Sequence, residues 1–168
     1  IPYIEQPVIP LGPVALHTFG LLVGLAILLG ARVVNRRVER FGLGVALGDR
    51  LVLWLLVGGF VGAHLVHQFV YFPADTLAHP WSILRFWDGL SSFGGFAGAL
   101  AAALIFLKRN GLWAERWRYL DVVAYALPFG WTIGRLGCFI AFDHPGDPTT
   151  FWLGEADGDG IVRHNLGL

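Results

Sequence analysis

Arg135 sits inside an apolar run, in GWTIGRLGCF, flanked by Gly130, Gly134 and Gly137. A charge at membrane depth is costly unless it meets a partner or a wet cavity, so its presence asks for a reason. Glycines strip side chains from the helix surface and let another helix or a ligand come close. A guanidinium beside bare backbone suits a phosphate, whose oxygens match its planar fork of donors; near a lipid headgroup that phosphate is a phospholipid's. The competing reading is an arginine that snorkels to the interface as an anchor. A second cluster, His64, His67, Gln68 and Tyr71, falls on one helical face. It reads as a hydrogen-bonded polar core; two histidines three apart could ligate a metal, but no third ligand at metal spacing accompanies them, so no metal site is expected. The third group is Asp88 with GLSSFGG, where Ser91, Ser92, Gly94 and Gly95 open a helix. Its amides either hold an anion or are capped by a serine, with the glycines packing tightly. Asp143 and His144 follow the last apolar run, about two turns beyond Arg135, as a base or as loop residues.

The elements that carry these groups follow from composition. Of the 168 residues 55% are hydrophobic and only 14% charged, with 23 glycines. The apolar residues come in runs near twenty long, which excludes an ordinary soluble domain. Four runs have spanning length, at about residues 14–34, 51–72, 90–107 and 119–141. The fold class expected is an all-α polytopic transmembrane helix bundle with extracytoplasmic loops, residues 1–142 forming the membrane domain and 143–168 the start of a further extracytoplasmic segment. With no methionine, a start at Ile1 and an apolar last residue, the chain is expected to be incomplete at both ends.

RVVNRRVERFG and KRNGLWAERWR carry most of the basic residues, which places both loops in the cytoplasm and the N-terminus outside. The loop PADTLAHPWSILRFWDG mixes prolines with aromatics and suits the headgroup layer. The tail after Phe142 is rich in glycine, proline and aspartate and suits turns and short strands. Equal numbers of basic and acidic residues give no reason to expect nucleic acid, and the lone Cys138 excludes an internal disulfide. A transporter would call for paired repeats, and none stands out.

Three motifs in order, PLGPVALHTFGLLVG, then GGFVGAHLVHQFVYFPADTLAHPWSILRFWDGLSSFGGFAGAL, then LPFGWTIGRLGCFIAFDHPGDPT, resemble the prolipoprotein diacylglyceryl transferase family across nearly the whole chain. The resemblance implies a bacterial inner-membrane enzyme that moves the diacylglyceryl group of phosphatidylglycerol to the lipobox cysteine in a prolipoprotein signal peptide, with no cofactor. It puts Arg135 on the arginine that engages the phospholipid phosphate, and Gly146 on a glycine of the same signature. Gly134, Gly94, Gly95 and Ser92 join Arg135 as substrate-binding candidates, and Asp143, His144 and His64 are the catalytic candidates. The family histidine before the paired glycines is Phe93 here. Two asparagines are Cys138 and Ala141, a glutamate is Asp143, a tyrosine is Phe19, and an arginine of the second helix is His64. A second reading is therefore a family member that binds phospholipid and has lost catalysis.

Overall fold

The computed structural model describes residues 8–11, 14–86, 89–141, 145–152, 154–156 and 160–165. Among these residues four helices are long and apolar enough to cross a membrane. They are α1 (Thr18–Arg40), α2 (Val45–Val66, continued by a π turn over His67–Tyr71), α4 (Ser92–Arg109) and α5 (Arg116–Ala141, preceded by a 3-10 turn). A short α3 (Pro73–Ala78) and a 3-10 turn (Pro80–Leu84) lie between α2 and α4. Short strands occupy the ends: β1 (Val8–Leu11) pairs antiparallel with β2 (Val14–His17), and β3 (Pro145–Pro148), β5 (Val162–Asn165) and β4 (Glu155–Ala156) form a three-stranded antiparallel sheet in that order. The apolar run from residue 14 thus begins as a strand, and the helix starts at Thr18.

The chain forms two compact units, one of residues 1–33 with 124–168 and the other of residues 34–123. In the second unit both basic loops begin with the same device. Gly42 (φ 67°) follows α1 and Gly111 (φ 71°) follows α4. At each, a glycine amide bonds back three residues, Gly42 to Glu39 and Gly111 to Lys108. The next amide bonds back five, Leu43 to Val38 and Leu112 to Leu107. This arrangement satisfies the last helical carbonyls and needs a left-handed residue, which glycine adopts without strain. Arg37 and Arg40 in the last turn of α1, and Lys108 and Arg109 in that of α4, complement the negative helix ends. Arginine is also a good helix former, so α1 runs on to Arg40, past the end of its apolar run.

The core of this unit is the α2–α4 seam, an antiparallel pair built on small residues at four-residue spacing. A Cβ on Gly62 would stand 2.5 Å from the Gly94 carbonyl oxygen and 2.7 Å from Gly98 Cα. A Cβ on Gly98 would run into the Gly58 carbonyl oxygen. The helices therefore meet backbone to backbone, the geometry that drives helix association where lipid removes the hydrophobic drive. Gly98→Ala is expected to destabilise the protein by about 1–3 kcal/mol through overpacking against rigid backbone. Gly24→Ala on α1, with nothing within 4 Å of the added carbon, should leave thermal unfolding in detergent unchanged or slightly raised; equal effects of the two would contradict the seam.

Candidate functional site

Arg135 lies two turns short of the end of α5, in the first unit, and is half-buried. The three glycines around it divide their work. A Cβ on Gly130 would stand 3.2 Å from the Ala26 carbonyl oxygen, and one on Gly137 would stand 3.3 Å from the Phe19 ring and 3.5 Å from Leu22 Cβ. Gly130 and Gly137, two turns apart, thus bring α5 close to α1. Gly134 has nothing within 4 Å of that point. At Gly134, next to Arg135 in sequence, α5 thus faces open space, while the glycines a turn away hold the helix against α1. Pro128, inside α5, deprives one carbonyl of its helical donor, and the Thr132 hydroxyl donates to the Pro128 carbonyl at 2.8 Å. Cys138 is a half-buried free thiol. Asp143 and His144 lie outside the described residues.

The second unit holds the other candidates. His64 is fully buried, with Nε2 donating to the Ile83 carbonyl at 2.9 Å and its ring 5.2 Å from that of Phe86. A carbonyl only accepts, so Nε2 carries a proton and is not an available base. The buried Nδ1 has no partner among the described residues. One turn on, the π turn carries buried Gln68. Gln68 Oε1 lies 2.8 Å from the Thr76 hydroxyl and accepts from the Ser82 hydroxyl at 3.1 Å, while its amide nitrogen donates to the Ser82 carbonyl at 3.4 Å. The ring of His67 fills the space where a Cβ on Gly89 would stand, and Gly89 has φ 87°.

His64 and Gln68 therefore strap residues 76–83 across the end of α2. Satisfied buried polar groups of this kind fix a loop in one arrangement. The inward polar face was legible for His64 and Gln68, but Tyr71, expected on the same face, is exposed, and Thr76 and Ser82 were not singled out. The signal for them was the need of those two side chains for partners. On the loop's other side Leu77, Trp81, Leu84 and Phe86 are exposed.

At the start of α4, Ser91 is the cap. Its hydroxyl accepts the Gly94 amide at 3.2 Å, its carbonyl accepts the Gly95 amide at 2.9 Å, and its own amide donates to the Ala63 carbonyl at 3.0 Å. Gly94 is buried in the seam and Gly95 faces Ala63. The capping and packing alternative accounts for both glycines; Ser92 and Phe93 are exposed in the first turn.

Four membrane-length helices, with polar groups gathered near helix ends, define a multi-pass helical membrane protein. The family model described as prolipoprotein diacylglyceryl transferase matches residues 6–165, and the chain belongs to that family. Curated relatives named phosphatidylglycerol-prolipoprotein diacylglyceryl transferase include one from Ectopseudomonas mendocina, 36% identical over 170 residues that cover 97% of this chain and 63% of the relative. Another, from Symbiobacterium thermophilum, is 32% identical over 152 residues, 90% of this chain and 56% of the relative. A third, from Tolumonas auensis, is 38% identical over 103 residues, 61% of this chain and 40% of the relative. The chain thus spans about half the length of the relatives it matches.

Proposed function

We propose that this chain carries the donor-lipid site of a phosphatidylglycerol-prolipoprotein diacylglyceryl transferase, which moves the diacylglyceryl group of phosphatidylglycerol to the lipobox cysteine thiol of a prolipoprotein signal peptide. The observation that carries this reading is Arg135 beside the open face of Gly134, on a helix that Gly130 and Gly137 hold against α1. In the reaction the acceptor thiol gives its proton to a base. Its sulfur attacks the glycerol carbon bonded to the phosphate oxygen, a C–S bond forms as the C–O bond breaks, and glycerol phosphate leaves with the electron pair. Arg135 holds the phosphate and offsets the charge that grows on the leaving oxygen. Asp143 and His144, shortly after α5 in sequence, are the proposed base, and His64, expected among the catalytic residues, is proposed instead to position the loop through Ile83. At the start of α4, Ser92, exposed like Phe93, is a proposed substrate contact, and Gly94 and Gly95 shape the helix behind it. The test is release of glycerol phosphate, which should require both phosphatidylglycerol and a lipobox peptide; no release with both present contradicts the reading.

A second reading, phospholipid binding without catalysis, is favoured by Phe93, exposed where the resemblance puts a base. In either reading the membrane domain of residues 1–142 lies in the bacterial inner membrane, with the N-terminus and residues 143–168 outside, the arginine-rich loops inside, and the strapped loop in the outer headgroup layer. On a Cys138→Ala background, an impermeant thiol reagent applied from outside should label Leu77→Cys and spare Glu39→Cys and Ala114→Cys, three exposed positions. The opposite pattern would invert the topology.

A further inference from the structure

The α2–α4 pair carries a second lipid-facing feature, remote in sequence from Arg135. On the flank of the glycine seam runs an apolar groove of about 490 Å³. Its walls include Trp54, Val57 and Gly58 of α2 and Gly98, Ala101 and Ile105 of α4. Val57, Ala101 and Ile105 are exposed. The two helices supply these walls by helical spacing, Trp54 and Gly58 one turn apart, Ala101 and Ile105 one turn apart. Continue each row by one more turn and it ends on an arginine: Arg50 below Trp54, and Arg109 beyond Ile105.

Both arginines sit near aromatic rings, Arg109 near that of the wall residue Trp54. The guanidinium carbon of Arg109 lies 5.9 Å from the centre of the Trp54 ring, and that of Arg50 lies 6.0 Å from the centre of the Phe106 ring. A guanidinium with an aromatic ring nearby keeps N–H donors for an anion. The neighbouring carboxylates are engaged elsewhere: Asp49 accepts from Asn35 at 2.5 Å, Glu115 from Arg118 at 3.3 Å, and Asp121 faces Arg37 at 3.8 Å. Among the described residues neither Arg50 nor Arg109 makes an ion pair.

We propose that this groove binds one anionic glycerophospholipid from the leaflet on the arginine side, with an acyl chain along the groove and the phosphate between Arg50 and Arg109. The shape calls for a flexible apolar rod, and the arginines call for an anion at one end of it; an anionic phospholipid has both. A second copy of the chain fits less well. Inserted in the same orientation, it would bring its own Arg50 and Arg109 to the same depth, setting like charges together. The proposed topology makes this the cytoplasmic leaflet. The groove is independent of the transferase reading, since none of its residues is assigned to substrate.

A fluorophore at Val57→Cys, on a Cys138→Ala background, reports on the groove. The protein is reconstituted in phosphatidylcholine vesicles with a fixed fraction of brominated-chain phosphatidylserine or brominated-chain phosphatidylcholine. Phosphatidylserine is used because it is not the proposed donor lipid. Quenching by the anionic lipid is expected to show about fivefold enrichment at this position, the scale of one basic side chain's attraction to an anionic surface. The preference should vanish in Arg50→Gln/Arg109→Gln. It should persist in Arg135→Ala, which separates it from the donor site. Equal quenching by the two lipids in the parent protein would mean an ordinary lipid-facing surface and overturn the proposal. Absence of quenching by either would mean that protein covers the groove, and overturns it as well.

Discussion

Arg135→Ala is expected to lower phospholipid affinity by roughly ten- to a hundredfold, the loss of a charge-assisted hydrogen bond of about 1.5–3 kcal/mol. Transferase activity at limiting phosphatidylglycerol should fall at least as far, because the same contact stabilises the leaving phosphate. Arg135→Lys should restore little: an ammonium is a point charge and cannot reproduce a two-pronged grip on two oxygens. The change should be local, since it leaves Gly130 and Gly137 against α1. Binding of phosphatidylglycerol by a well-folded Arg135→Ala protein, measured in nanodiscs and found equal to the parent, would return the residue to an interfacial anchor.

The base gives the larger effect. If Asp143 and His144 take the thiol proton, His144→Ala or Asp143→Asn should slow transfer by about 10² to 10⁴-fold, the usual contribution of a positioned base. Phe93→His should then change little, because the task is already filled. Phe93 is 73% exposed in the first turn of α4, so a histidine there meets no packing obstacle. Should the parent protein be inactive and Phe93→His raise it from background, the base was lost at this one position. Should both be inactive while phosphatidylglycerol still binds through Arg135, lipid binding without catalysis is the surviving function.

What the sequence showed, and what it hid, follows from the range of each interaction. Arg135 was legible because a charge in an apolar run is anomalous by itself. The Gly58 and Gly62 pair signals helix packing by its four-residue spacing alone. Its partners, Gly94 and Gly98, were not assigned to it, because the pairing depends on the antiparallel register of α2 and α4. Gly94 and Gly95 therefore also read as an anion cradle beside the capping and packing alternative, and the capping hydrogen bonds of Ser91 fit that alternative. His64 and Gln68 showed an inward polar face, but the strap to Thr76, Ser82 and Ile83 required the loop's path. The β1–β2 hairpin was hidden because Val14–His17 and the start of α1 form one apolar stretch, whose hydrophobicity does not separate strand from helix. Asp143 and His144 lie outside the described residues, so their part rests on sequence alone.

The proposed activity joins a diacylglyceryl group to a cysteine sulfur. The most direct measurement is mass spectrometry of a synthetic lipobox peptide after incubation with the purified, membrane-reconstituted protein and phosphatidylglycerol of defined acyl chains. The account predicts a peptide heavier by one diacylglyceryl group of those chains, attached at the cysteine and resistant to thiol reductants as a thioether is. It also predicts no such product when the acceptor cysteine is replaced by serine, or with Arg135→Ala at limiting lipid. An unmodified peptide, with phosphatidylglycerol shown to be bound, would contradict it.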